Sequence, residues 1–118
     1  MYLIGLKTCS SCKQVEKQLK SKGLDYDYLD VRQNPPKRDL LKKIAMTIGP
    51  ANIKKMVNVS GQSYRQGNYK DVWAQLSFDQ QLDALANDGM LIKRPILVFD
   101  QKVLIGKDVQ AYLDQEEA

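Results

Sequence analysis

Two cysteines, Cys9 and Cys12, flank Ser10 and Ser11, and the 118-residue chain has no other thiol. Where a strand gives way to a helix, this spacing is a redox motif. The unpaired N–H groups and the dipole of the helix N-terminus favour a thiolate there. Cys9, at the helix mouth, is the expected nucleophile. Cys12, one turn further in and more shielded, is the expected resolving thiol, placed to attack a mixed disulfide on Cys9. A structural staple explains the pair poorly, because closing so short a loop stabilises little. Two other readings remain open: a pair of small buried residues, or half of a zinc site shared between two chains, whose other two ligands this chain lacks. Ser10 and Ser11 have no base partner for nucleophilic chemistry, so their hydroxyls are expected to help cap the helix and line the groove beside the cysteines. The chain contains no histidine, which excludes histidine acid–base chemistry and histidine metal ligands.

The elements that would position these residues follow from the apolar pattern. Tyr2 to Leu6 reads as a buried strand. From Ser10 to about Lys22, Cys12, Val15 and Leu19 fall on one helical stripe, and Gly23 is a natural stop. Tyr26 to Val31 alternates as a second strand, completing a right-handed βαβ unit of about 30 residues. Asn34-Pro35-Pro36 reads as an N-cap with prolines at a helix entry, ahead of the stripe Leu40, Leu41, Ile44, Ala45 and Ile48, which Gly49-Pro50 ends. A short helix is expected over Asn52 to Met56 and a loop over Val57 to Gly67, with Val72 and Trp73 as core anchors. Ser77 and Gln80 form a capping box for a helix carrying Phe78, Leu82, Leu85 and Ala86 inward, closed by Asp88-Gly89. Ile96 to Phe99 and Val103 to Ile105 make a hairpin around Asp100 to Lys102. Gly106 precedes a last helix with Val109, Tyr112 and Leu113 on one face, fraying over Gln115 to Ala118.

This layout is α/β: a thioredoxin-like fold with a glutaredoxin-type core, a four-stranded mixed sheet and a helical insertion over about 34–91, in one domain spanning 1–118. In such a fold the proline before the third strand lies beside the cysteines. Pro95 is therefore expected to be cis and to shape the substrate groove. Arg94 before it is expected either to favour the thiolate or hold an anionic substrate, or to stand exposed at a strand entrance.

Composition narrows the setting. The net charge is +4, from 18 basic and 14 acidic residues, and the lysines are mostly those of solvated helix faces. Direct nucleic-acid binding is not expected. No run approaches the roughly 20 apolar residues of a membrane span, and no secretory signal is visible, so a cytoplasmic monomer without membrane contact is expected.

Cys9-x-x-Cys12, Asn34-Pro35-Pro36, Asn58-x-Ser60-Gly61-x-x-Tyr64-Arg65 and the run Asp88 to Pro95 together resemble the arsenate reductase (ArsC)/Spx/MgsR family over nearly the whole chain, closest to its small arsenate-reductase-like branch. The resemblance implies the same fold with a helical insertion, and it splits between two activities. In the reductases one cysteine attacks arsenate while three arginines hold the oxyanion. Cys9 and Arg94 match that cysteine and one arginine. The other two positions fall at Val57-Asn58 and Gly106-Lys107, where Lys54 or Lys107 would supply only point charges. The Spx-type members are redox-sensing regulators that bind the C-terminal domain of the RNA polymerase α subunit. They share Cys-x-x-Cys and Arg-Pro-Ile but carry a longer basic tail. The resemblance therefore implies thiol exchange or sensing ahead of arsenate reduction, with no bound cofactor and a thioredoxin or glutathione/glutaredoxin system as reductant. Tyr64 and Arg65 would line the same cleft or belong to a surface loop.

Overall fold

The computed structural model describes the backbone of residues 1–117 and the side chains of residues 1–115. Four short strands, β1 (Tyr2–Gly5), β2 (Asp27–Asp30), β3 (Ile96–Phe99) and β4 (Lys102–Ile105), form one sheet in the order β2-β1-β3-β4. β1 and β2 run parallel, joined by helix α1 (Ser10–Ser21). β3 is antiparallel to both β1 and β4, so the sheet is mixed.

The period-two alternation of the strands sorts the core into two layers. Leu3 and its partner Leu97 pack with Val15 and Leu19 of α1 and with Val109 and Leu113 of the last helix, α6 (Lys107–Glu117). Ile4 and its partner Ile96 point the other way, toward the long segment between β2 and β3. That segment contains α2 (Arg38–Ile48), a 3-10 turn over Pro50–Met56, α3 (Gln62–Gln66), α4 (Tyr69–Val72), a 3-10 turn over Trp73–Gln75, α5 (Phe78–Asn87) and a 3-10 turn over Gly89–Leu91. Leu41, Ile44, Met56, Leu82, Leu85 and Leu91 are buried there against Ile4 and Ile96. Each such side chain contributes about 1.5–3 kcal/mol of burial.

The capping box forms as expected, with Ser77 accepting from the Gln80 N–H and Gln80 accepting from the Ser77 N–H. Arg38 of α2 reaches Asp83 at 2.7 Å and Asp79 at 3.3 Å on α5. Both are exposed pairs that orient more than they stabilise.

Several local expectations are corrected. Asn34 caps no helix. Its side chain accepts from the Asp30 N–H at 2.9 Å and donates to the Tyr28 carbonyl at 3.1 Å, while α2 begins at Arg38 behind Lys37. Two prolines in a row push the helix start beyond them, leaving the Asn34 amide free to latch the end of β2. The expected loop over 57–67 contains α3, whose buried Tyr64 supplies the anchor. The expected helix from Asn52 is a 3-10 turn starting at Pro50. Trp73 is buried and Val72 only half-buried. The last helix holds its hydrogen-bonded form to Glu117 where fraying was expected from Gln115, and Ala118 lies outside the described residues. Among the described residues, no helix is long and apolar enough to cross a membrane.

Candidate active site

β1 ends at Gly5, and the chain turns through Thr8 into α1, with the Cys9 N–H bonded back to the Leu6 carbonyl at 2.9 Å. Cys9 is itself the N-cap residue: its backbone is extended (φ −85°, ψ 118°), and its sulfur accepts the Cys12 N–H at 3.4 Å. A side chain that caps a helix in this way satisfies one orphan donor and gains the positive end of the dipole. The capping group is therefore the Cys9 sulfur and neither serine hydroxyl. Ser11 instead places its Oγ 3.2 Å from Cys9 Sγ, positioned to donate once the sulfur is ionised. Ser10 is the first residue of the helix, with its side chain exposed.

The environments of the two thiols differ sharply. Cys9 is half-buried and Cys12 fully buried, and both are free thiols. Burial works against ionising Cys9, but donation from the Cys12 thiol, the Ser11 hydroxyl and the Cys12 N–H outweighs it. Together with the charge of Arg94, these hold the Cys9 pKa below the ordinary thiol value. Burial and the neighbouring Cys9 push Cys12 up to about 12. One sulfur is poised to ionise while the other keeps its proton as a donor.

The Arg94–Pro95 peptide bond is cis, and Pro95 is buried. The Pro95 carbonyl accepts from the Gly106 N–H at 2.7 Å, which fixes the proline against the start of α6. Arg94 does not hydrogen-bond Cys9. Its Nη1 donates to the carbonyls of Ile92 at 3.1 Å and Met90 at 3.3 Å, so the insertion holds the guanidinium and its effect on Cys9 is through charge. Held this way, Arg94 stands between two pockets. One, of about 590 Å³, runs past Ser11, Gln14, Lys93, Pro95 and Lys107. The other, of about 330 Å³, is lined by Arg32, Asn58, Gln62, Ser63 and Met90.

The remaining candidates separate. Lys107 reaches the first pocket, whereas Lys54 lines none of those described, and its neighbour Lys55 lies near Lys93 and Lys107. Val57 is buried in a bridge with Ile92, and that pairing carries Asn58 to the second pocket. Tyr64 is a core residue beside Tyr69, and Arg65 turns away to the Ser60 carbonyl at 2.8 Å, so neither lines the cleft.

Two residues were missed by the sequence reading. Asp30 is buried at the end of β2, and its carboxylate accepts the N–H groups of Lys7 (2.9 Å), Arg32 (2.8 Å) and Gln33 (3.0 Å). Burial opposes its charge, but those backbone donors hold its pKa below the usual carboxylate value. It thereby ties the cysteine-bearing turn at Lys7 to the end of β2. Arg32, presented by that turn, adds a second guanidinium to the Asn58 pocket. The signal in the sequence was an acidic residue ending an apolar strand just before a turn. Among the described residues, no group of three or more potential ligands could hold a metal ion.

The ArsC family profile matches residues 4–115 of this chain. The Bacillus subtilis (strain 168) protein YusI is 37% identical over 98 residues, covering 83% of this chain and 82% of its own length. The regulatory protein MgsR of the same organism is 24% identical over 99 residues, covering 84% of this chain and 76% of its own. Among solved structures, a possible arsenate reductase from Streptococcus mutans UA159 superposes with a TM-score of 0.78 at 40% identity, covering 89% of this chain and 88% of the other.

Proposed function

The chain belongs to the ArsC family of thiol redox proteins, and from that premise we propose that it carries out thiol–disulfide chemistry with Cys9 as nucleophile and Cys12 as resolving thiol. The observation that carries this is the opposite bias on the two sulfurs, one capping a helix with its pKa lowered and the other buried with its pKa raised to about 12. The Cys9 thiolate attacks an oxidised sulfur, forming a mixed disulfide and releasing one thiolate. Cys12 then loses its proton and attacks Cys9 Sγ, expelling the second half of the substrate and closing the Cys9–Cys12 disulfide. A thioredoxin or glutathione/glutaredoxin system returns two electrons and two protons to restore the dithiol. Pro95 and Ser11 shape the groove, and Arg94 holds positive charge beside it.

The substrate chemistry favoured is a disulfide, or an oxidised thiol, that bears an anionic group. Arg94 and Arg32 share a pocket whose other named lining groups include the amides of Asn58 and Gln62 and the hydroxyl of Ser63. Arsenate reduction is the weaker reading, because Val57 is buried and Gly106-Lys107 offers no guanidinium fork. An arsenate-dependent rate in an NADPH-coupled assay, lost in Cys9→Ser, would reverse that order.

The likeness to MgsR supports a second reading, a regulator whose dithiol state gates contact with the α subunit of RNA polymerase. Pull-down with that polymerase component, on reduced and on oxidised protein, separates the two. Redox-dependent capture with no disulfide turnover selects the regulator. Turnover of a small disulfide with equal capture in both states selects the enzyme.

A further inference from the structure

Gly5 marks a place where a third group approaches Cys12. A methyl on Gly5 would stand 2.9 Å from the Tyr28 hydroxyl and 3.2 Å from both Cβ and Sγ of Cys12. The hydroxyl and the sulfur thus both border the space on one side of β1 that a Gly5 side chain would fill. Tyr28 packs its ring against the layer of α1 and α6, and its hydroxyl has no hydrogen-bond partner among the described residues. Its neighbour in sequence parity, Tyr26, is already committed to Glu16 at 2.8 Å.

We propose that Tyr28 is a positioning residue for the resolving step, its hydroxyl donating to the Cys12 sulfur as that sulfur becomes a thiolate, across the gap kept open by Gly5. This rests on the thiol–disulfide reading above. While Cys12 is a neutral thiol it needs no donor, because its own proton serves Cys9. Once Cys9 is tied up in a mixed disulfide, Cys12 must release its proton to solvent, and negative charge develops on a buried sulfur. A donor that engages only as that charge develops acts on the resolving step and leaves the ground state unchanged. The Cys12 thiolate then forms the S–S bond to Cys9 as the Cys9–substrate S–S bond breaks, and the departing thiolate takes up a proton from solvent. Tyr28 keeps its own proton throughout: burial and the nearby Cys12, Glu16, Asp30 and Cys9 all raise its pKa. The other groups that favour charge on Cys12 at that stage are the Leu6 N–H and the Arg94 guanidinium, since Cys9 carries no charge in the mixed disulfide.

The test is a stopped-flow reaction of the reduced protein with a bis-nitrobenzoate disulfide, whose coloured thiolate is released once when Cys9 attacks and again when Cys12 resolves. In Tyr28→Phe the first phase should match the parent. The second should slow about tenfold, the worth of one hydrogen bond to a charged group, with its rise displaced to higher pH. Gly5→Ala should slow the second phase similarly, and Tyr26→Phe should leave both phases alone. A second phase unchanged in rate and pH profile in Tyr28→Phe overturns the proposal, as does an equal slowing of both phases. A parent that releases only one equivalent of coloured thiolate overturns the thiol–disulfide reading itself.

Discussion

Ser11→Ala isolates the hydrogen bond that favours the Cys9 thiolate. Ser11 is exposed in the first turn of α1, where alanine is a better helix former, so the fold should be unaffected. The lost contact is the 3.2 Å approach of Oγ to Cys9 Sγ. At a half-buried site such a bond contributes about 1 kcal/mol, or about fivefold in the ionisation equilibrium. The thiolate population below its pKa should fall by that factor. A more basic sulfur is also a better nucleophile, and a Brønsted slope of about 0.4–0.5 returns about a factor of two. Alkylation of Cys9 by iodoacetamide should therefore be about two- to threefold slower on the acidic arm and about twofold faster on the alkaline plateau, so the two pH profiles cross. Crossing profiles distinguish a change in ionisation from a change in access. An equal change in rate at every pH, or profiles that coincide, would refute the assignment of Ser11 as a thiolate donor.

Further outcomes follow from other contacts. Arg94→Gln removes a charge that acts on Cys9 without touching it, so its alkylation profile should move the same way as that of Ser11→Ala, but less in high salt than in low. Asp30→Asn should cost about 1–3 kcal/mol by chemical denaturation at neutral pH, because three backbone donors lose their carboxylate. Since the folded pKa of Asp30 lies below its unfolded value, that stabilisation is complete above the ordinary carboxylate pKa and is lost as pH falls through the folded one. The parent and Asp30→Asn should thus converge in stability in acid. Gly89→Ala would drive a Cβ into the Val31 carbonyl oxygen, a backbone clash, so its thermal midpoint should fall clearly below the parent's.

Much of the site could be read from side-chain type and spacing because its geometry is local. A cysteine between an apolar strand and a Lys- and Gln-rich stripe has to lie at the helix mouth, and a proline entering an apolar run has to precede a strand, although the cap itself is the Cys9 sulfur and not the serine hydroxyls expected there. The strand at Ile96–Phe99 and the Ser77–Gln80 box were legible for the same reason. What stayed hidden depends on contacts across the sheet. Asp30 looked like an alternating strand residue, yet its charge is spent on the Lys7 turn 23 residues away. Arg32 and Asn58 share a pocket only because Val57 bridges to Ile92. Asn34 carried a helix-capping signature, but its amide meets the end of β2 because the prolines displace the helix start to Arg38. In the insertion, short helices with only one or two buried anchors leave no periodic trace, as at Gln62–Gln66.

The division of labour between the two sulfurs is tested most directly by mass spectrometry of the reduced parent, Cys9→Ser and Cys12→Ser after brief exposure to a small disulfide. The expected result is an internal Cys9–Cys12 disulfide in the parent, a stable mixed disulfide on Cys9 in Cys12→Ser, and almost no adduct in Cys9→Ser at neutral pH. Rapid adduct formation on Cys12 in Cys9→Ser, or a parent that stops at the mixed disulfide, would contradict it.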